Sequence, residues 1–299
     1  MTDDAHAPSP VGAKSPADFS SVTIVSVTFN SFNIVKQLVA SIPTGVKVIL
    51  VDNGSDDIEQ LQTLTSDDIS VLHNPRNVGF GTACNQGAAA ANTDYLFFVN
   101  PDASLAGETL SALLNAVHNY PDAVAFNPAI VEGNGKQYFK RSSTLLPRAE
   151  YMARGWPSSD SAVNVLSGAA IFVKQSVFQA VGGFDENIFL YHEDDDLSLR
   201  LRRMGTLMFI RDAVLTHIGG SGSARSPAVA ALKAFHMGRS RVYALRKYGF
   251  ALPWGRSFVL ALWQLLSPLV WFSKRKRAKQ VALLKGVWSM RSETSCRPS

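Results

Sequence analysis

The stretch from Leu96 to Asp102, LFFVNPD, constrains what this chain can fold into more than any other. Four apolar residues without alternation read as a strand covered on both faces, as in a parallel sheet sandwiched between helices. The run stops at Asn-Pro-Asp, so an acid stands where the strand ends. In open α/β sheets the ligand crevice lies beyond the carboxyl ends of the strands, which places Asp102 toward a ligand or a metal. The same three residues also make a good turn, and the neighbouring strands have to decide between the two readings.

Val22 to Thr28 reads as a first strand, followed by Asn30-Ser31 as a helix cap and an amphipathic helix to Ser41 with Ile34, Val35, Leu38 and Ile42 on one face. Val46 to Val51 is a second strand ending on Asp52-Asn53-Gly54-Ser55-Asp56, with a short helix near Ile58 to Leu64. Ile69 to Leu72 is a third strand. A loop from Asn74 to Gly81 then leads into an Ala-rich helix over Thr82 to Ala91 and the strand at Tyr95 to Val99. Strands alternating with helices predict an α/β fold with a doubly wound, mostly parallel sheet joined by right-handed crossovers. Asn30, Asp52 and Asp102 stand at three of its strand ends.

The second half of the pattern is less regular. A helix near Gly107 to Asn119 precedes a strand at Val124 to Phe126 and a Gly-Asn-Gly hairpin turn at Gly133 to Gly135. Val165 to Lys174 reads as a further buried strand. Glu193-Asp194-Asp195-Asp196 then opens a helix carrying Leu197, Leu201 and Met204 at helical spacing. Acids complement a helix N-terminus, a sufficient role for Asp195. Four in a row exceed what a cap needs, and their mutual repulsion raises the pKa of one of them. Val214 to His217 is a short strand ending in histidine, followed by Gly219-Gly220-Ser221-Gly222.

Charge divides the chain. Residues 1–224 hold 14 Lys and Arg against 23 Asp and Glu, whereas residues 225–299 hold 15 against 1. The first twenty residues, with Asp3, Asp4 and several Pro, Ser and Ala, read as a disordered lead. A folded domain over 21–224 and a basic helical extension over 225–299 follow. With two cysteines, Cys84 and Cys296, neither a disulfide framework nor a thiolate metal site is expected, which fits a cytoplasmic setting. In the extension, Val229, Leu232, Phe235, Val242 and Leu245 recur at helical spacing over Pro227 to Lys247. The apolar run Phe258 to Phe272 is too short to span a bilayer, for which roughly 20 residues are needed. It reads as interfacial, with Trp254, Trp263 and Trp271 at headgroup depth and Lys274-Arg275-Lys276-Arg277 on anionic lipid. A core-packing or homodimer helix is the plainer alternative.

Seven motifs in order resemble the family 2 inverting glycosyltransferases of the A-type fold, and among them the bacterial rhamnosyltransferase-like branch. They are VSVTFN (Val25 to Asn30), VDNGSDD (Val51 to Asp57), NPRNVGFGTACNQG (Asn74 to Gly87), VNPDA (Val99 to Ala103), SGAAIFVK (Ser167 to Lys174), GGFDENIFLYHEDDDLSLRLRRMG (Gly182 to Gly205) and THIGGSG (Thr216 to Gly222). The resemblance implies that Asn30, Asp52, Asn53, Arg76 and Asn77 line the nucleotide-sugar pocket. It makes Asp102 the last acid of the metal-binding pair, with Asn100 standing where the stricter Asp-x-Asp pattern has its first. His217 completes the metal site for Mg2+ or Mn2+, Asp194 is the catalytic base, and Glu193 faces the acceptor. The implied reaction moves a sugar, L-rhamnose from dTDP-rhamnose, to a lipid-linked (polyprenyl-diphosphate) or other cell-envelope glycan acceptor at the inner face of the membrane. Galactofuranosyl, glucosyl and N-acetylglucosaminyl donors are the alternatives within the family.

The chemistry agrees with these roles. Oxygen ligands around a divalent cation offset charge on a departing nucleoside diphosphate, and a carboxylate opposite the leaving group takes the acceptor proton. Three rivals remain. A nucleotidyltransferase would carry a Gly-rich loop with a lysine after the first strand, and VTFNSFN has neither. A decayed binding module would lack catalytic carboxylates. Nucleic-acid binding by the basic tail is the disfavoured third.

Overall fold

The first strand, β1 (Val22–Thr28), is buried along its whole length, and its side chains alternate between two separate cores, Val22 and Ile24 in one and Val25 and Val27 in the other. A computed structural model describes residues 18–218 and 226–292. Most of the expected disordered lead, Cys296, and the Gly219 to Gly222 run lie outside the described residues, as does the expected boundary at 224.

The neighbouring strands share this two-faced burial. In β2 (Lys47–Asp52) Val48 and Leu50 face one core and Ile49 and Val51 the other; in β4 (Tyr95–Val99) Phe97 and Val99 oppose Leu96 and Phe98. The first core is closed by Val35 and Leu38 of α1 (Phe32–Ser41) and Leu110, Leu113 and Ala116 of α4 (Thr109–Asn119). The second is closed by Ala83, Cys84 and Ala88 of α3 (Phe80–Ala90), Phe178 of α5 (Gln175–Ala180), and Leu197 and Leu201 of α6 (Glu193–Leu201). A sheet covered by helices on both faces is what unalternating apolar strands require. Completing the first half are α2 (Ile58–Gln62) and β3 (Ile69–His73).

The α/β class is therefore as expected, while the sheet is more mixed than mostly parallel. With β5 (Ala103–Leu105), β6 (Ala123–Glu132), β7 (Gln137–Tyr138), β8 (Ser161–Val163), β9 (Ala170–Lys174) and β10 (Thr206–His217), the main order is β3-β2-β1-β4-β9-β6-β10-β5. Parallel pairing holds among β3, β2, β1 and β4 and between β6 and β10. β9 runs antiparallel to both β4 and β6. It follows a long irregular excursion from the β6–β7 hairpin, with no crossover helix to impose a parallel direction. The Gly133 to Gly135 turn does join that hairpin.

Two strands are longer than their apolar cores predict. β6 continues through Pro128, which β10 accommodates by a register shift between Ile210 and Val214, where the ladder loses the hydrogen bond a proline cannot donate. Only Ala170–Lys174 of the expected strand over 165–174 joins the sheet. Leu166 N–H instead donates to Ser198 Oγ at 2.9 Å and Ser167 N–H to Asn127 Oδ1 at 2.6 Å, pinning this segment beside α6.

Over its described residues the extension is mainly helical: α7 (Pro227–Lys247), α8 (Pro253–Leu265), α9 (Pro268–Trp271) and α10 (Lys274–Ser289). α7 and α10 meet at glycines, because a Cβ on Gly286 would stand 2.0 Å from Phe235 O and one on Gly238 2.6 Å from Leu283 O. Trp254 departs from its expected headgroup position. Its ring stacks on Phe258 at 4.9 Å and its indole N–H donates to Val287 O at 3.0 Å, so it serves the bundle core. Trp263 and Trp271 remain 75% and 56% exposed. Among the described residues no helix is long and apolar enough to cross a membrane.

Candidate active site

Three groups of side chains gather at the carboxyl ends of the parallel strands. At the end of β2, Asp52 is fully buried; its Oδ2 accepts from the Gly54 and Ser55 N–H groups, both at 3.2 Å, and faces His73 Nδ1 at 2.9 Å. Its Oδ1 is buried without a partner among the described residues. An unpaired buried carboxylate oxygen is costly, so a donor from a bound ligand would improve this site.

The surrounding loops are tied to one another. Asn30, with φ of 49°, accepts from Asp56 N–H at 2.8 Å. Asn53 donates to Asn77 Oδ1 at 3.0 Å and accepts from Val78 N–H at 3.0 Å, which fixes the loop carrying the exposed Arg76. That loop comes so near that a Cβ on Gly54 would lie 2.8 Å from the Arg76 backbone; with φ of +85°, Gly54 has two reasons to be glycine. Asn30, Asp52, Asn53, Arg76 and Asn77 thus form one shelf, in which the amide of Asn53 is already engaged within the protein.

The second group is made by strand pairing. β5 follows Asp102 directly and pairs antiparallel with β10, matching Ala103 to His217. His217 Nε2 therefore sits 3.0 Å from Asp102 Oδ1 and 3.3 Å from the Asn100 amide. Among the described residues no group of three or more His, Cys, Asp and Glu is arranged to hold a metal ion. The donor set here is one carboxylate, one imidazole and one amide. These oxygen and nitrogen donors would hold a divalent cation such as Mg2+ or Mn2+, which would supply positive charge to a bound phosphate.

The third group lies at the start of α6. Tyr191 and His192 both adopt left-handed conformations, φ of 68° and 70°, a strain of about 1–3 kcal/mol each for non-glycine residues, and the turn they make brings Glu193 and Asp194 to the same cavity. Asp194 Oδ2 accepts from Lys140 Nζ at 2.5 Å and from Gly168 N–H at 2.9 Å, while Oδ1 accepts from Asp195 N–H at 2.8 Å. A carboxylate offers about four acceptor positions; three are taken and one remains. Burial works against the Lys140 ammonium, but the carboxylates of Asp194 and Asp195 outweigh it and hold its pKa above the usual lysine range.

Glu193 behaves differently from its neighbours. Burial, reinforced by the Asp194 charge, pushes its carboxyl up to about 8, and its Oε2 is buried without a partner among the described residues. It is therefore largely a neutral acid at pH 7. Burial of Asp195 is more than offset by hydrogen bonds from His192 and Lys140, which hold it well below the usual carboxylate range. Asp196 is fully buried against Arg200 at 2.7 Å, Lys247 at 2.6 Å and Tyr248 Oη at 2.9 Å. The four acids divide accordingly into two that face the cavity and two that hold the helix.

One cavity of about 500 Å³ is lined by Asn100, Asp102, His217, Glu193, Asp194 and Gly168, and reaches Val27 of β1 and Phe80 of α3 beside the Asp52 shelf. Lys140 and Lys233 are the residues sequence reasoning missed. Lys140 follows the β6–β7 hairpin with no motif around it, and Lys233 reaches the cavity from α7, a helix whose spacing predicts only packing.

Several solved structures share this fold. TarS 1-349 of S. aureus superposes with a TM-score of 0.53 at 16% identity over 93% of both chains. The mannosyltransferase PcManGT of Pyrobaculum calidifontis, solved with GDP-Man and Mn2+, gives 0.53 at 14% identity over 94% of this chain and 80% of that one. The likeness is one of fold, that of the A-type glycosyltransferases. Residues 23–182 match the model for glycosyl transferase family 2, and the chain belongs to that family and is a glycosyltransferase. It is similar to the N-acetylglucosaminyl-diphospho-decaprenol L-rhamnosyltransferase of Mycobacterium tuberculosis, at 30% identity over 240 residues, 69% of this chain and 78% of the relative. A pre-mycofactocin glycosyltransferase from the same organism is 33% identical over 62% of this chain and 39% of its own length.

Proposed function

We propose that this enzyme transfers L-rhamnose from dTDP-rhamnose, with inversion, to a sugar carried on a polyprenyl diphosphate. The observation that carries the reading is a single cavity in which the Asp102–His217 pair and the Glu193–Asp194 pair face one space. The similarity to a rhamnosyltransferase whose name specifies a diphospho-decaprenol acceptor supports the choice of substrates.

The Asp52 shelf takes the nucleoside, with the unpaired Oδ1 accepting from the base and Asn30, Asn53, Arg76 and Asn77 shaping the pocket. Asp102 and His217, with the Asn100 amide, would hold Mg2+ or Mn2+, which supplies positive charge for a departing diphosphate. Asp194 accepts the proton of the acceptor hydroxyl as its oxygen bonds to the anomeric carbon. The bond from that carbon to the nucleoside diphosphate breaks, and its electron pair leaves with the diphosphate. A single base with direct displacement inverts the anomeric centre. Lys140 holds and aims Asp194, and Glu193, as a neutral acid, donates a hydrogen bond to the acceptor sugar.

The extension fits a peripheral position on the inner membrane face. Val259, Trp263, Leu266, Trp271 and Phe272 are exposed, Phe272 at 88%, and the exposed Lys274, Arg275 and Lys276 follow directly. Apolar insertion beside a basic cluster suits an anionic leaflet, and it would hold the cavity near a lipid-linked acceptor.

The test is a donor panel of dTDP-rhamnose, UDP-galactofuranose, UDP-glucose and UDP-N-acetylglucosamine, offered with an N-acetylglucosaminyl polyprenyl diphosphate and read by mass spectrometry. Rhamnosylated lipid with dTDP-rhamnose alone is the expected product. Transfer from another donor would replace the substrate assignment.

A further inference from the structure

We infer that Lys233, on the basic extension, grips the β-phosphate of the donor and stabilises it as it leaves, so that the extension completes the active site. The inference rests on the nucleotide-sugar reading of the cavity. Among the described residues lining that cavity, Asp102, Glu132 and Asp194 are acidic, Asp194 being paired with Lys140 from outside the lining, and Lys233 is the one lysine or arginine. A nucleoside diphosphate would enter an acidic space, and repulsion has to be offset where its charge is densest. Lysine is a compact point charge that serves phosphate well.

The location favours the leaving group over the acceptor. Lys233 lines the same cavity as Asn100, Asp102 and His217; burial, helped by Arg275, lowers its pKa, and the nearby Asp102 carboxylate offsets that in part. As the bond from the anomeric carbon to the β-phosphate oxygen breaks, the electron pair goes to that oxygen. A fixed ammonium there lowers the energy of the developing charge without giving up its proton.

Lys233 is carried by a fixed element. Within the same helix, His236 stacks on Phe189 with ring centroids 3.9 Å apart, and Ser240 Oγ donates to Leu190 O at 2.8 Å. Tyr243 Oη donates to Asp185 at 2.9 Å, and Lys247 bridges Asp185 and Asp196, each at 2.6 Å. These bonds tie α7 to the turn before α6 and to α6 itself, so the lysine and the two acids of α6 keep a constant relation. Preorganised charge of this kind needs no rearrangement when the reaction occurs.

Titration calorimetry of the full chain with dTDP and with dTMP, each in Mn2+, tests the inference. For Lys233→Met, dTDP affinity is expected to fall about 10- to 100-fold, the usual loss for a hydrogen bond to a charged group. The dTMP affinity should stay unchanged, and Lys233→Arg should recover most of the loss. Circular dichroism and thermal melting confirm that the variants are folded; should Lys233→Met fail to fold, Lys233→Gln takes its place. Unchanged dTDP affinity, an equal loss for dTMP, or a defect confined to the KM of the lipid-linked acceptor would overturn the role of Lys233. Wild-type protein that binds none of dTDP, UDP and GDP would instead remove the nucleotide-sugar reading on which it stands.

Discussion

Lys140 Nζ lies 2.5 Å from Asp194 Oδ2, so the residue assigned as base is held by a partly buried lysine from a different part of the chain. Three acceptor positions of that carboxylate are taken within the protein, and one is left for substrate. Asp194→Asn is expected to lower turnover by about 10² to 10⁴, the usual loss for a general base. The fold should persist, because Lys140 retains Asp195 at 2.8 Å and the amide oxygen still accepts from Gly168. Turnover and dTDP affinity are measured on the same preparation. Near-normal turnover would move the base role to another group.

Glu193 gives a pH signature of stability. Its carboxyl titrates near 4.5 when unfolded and about 8 in the fold, so between these values the folded state binds more protons. Stability from this group is complete below the unfolded pKa and is lost as pH rises through the folded one. Glu193→Gln cannot ionise and escapes that loss. The variant's melting temperature relative to wild type should therefore be higher at pH 9 than at pH 5. A difference independent of pH would show that Glu193 is ionised in the fold at both.

Asp102 and His217 are brought together by the β5–β10 ladder, and both are assigned to one ion. Asp102→Ala and His217→Ala should each weaken Mn2+-dependent binding of dTDP, and the double variant should lose less than the two single losses combined. Asn100→Asp should tighten Mn2+ binding, since it adds a carboxylate beside His217. Full additivity, or wild-type Mn2+ titrations in both single variants, would mean that the two residues serve separate sites.

The parts of this site legible in the sequence are those in which one strand delivers one residue. Asp52 ends and Asp102 follows an apolar run that reads as a strand, and Glu193 and Asp194 open a helix whose Leu197 and Leu201 are at helical spacing. The helix over Pro227–Lys247 was readable to the residue, with proline at its start and Ser226 Oγ accepting from Val229 N–H. What depended on tertiary pairing was not readable. The direction of β9, the diversion of Leu166 and Ser167 toward α6, and the arrival of Lys140 and Lys233 are set by packing between distant segments. The family resemblance supplied the partnership of Asp102 and His217, which periodicity alone does not contain; the β5–β10 pairing gives it a physical cause.

Two separable forces, apolar insertion and electrostatic attraction, would hold the extension on a membrane. Trp263, Trp271 and Phe272 are exposed beside Lys274, Arg275 and Lys276, whereas Trp254 is packed inward against Phe258 and Val287. Each lysine or arginine near an anionic surface contributes about 1 kcal/mol, a contribution that salt screens, while inserted apolar side chains are indifferent to salt. The intact protein should therefore bind phosphatidylglycerol vesicles, leave them only in part at high salt, and be extracted by alkaline carbonate. Trp263→Ala with Phe272→Ala should make the binding fully salt-reversible. Lys274→Ala, Lys276→Ala and Lys279→Ala together should weaken binding at low salt and leave a residue that salt does not affect. Removing exposed side chains spares the α7–α10 contact at Gly286, whereas truncation after Tyr248 would strip α10 from α7. Both surface variants should accordingly keep wild-type dTDP affinity and lose transfer to a lipid-linked acceptor only when it is embedded in vesicles. Vesicle binding that survives both sets of substitutions, or an intact protein that ignores anionic vesicles, would leave this face to packing or dimer formation.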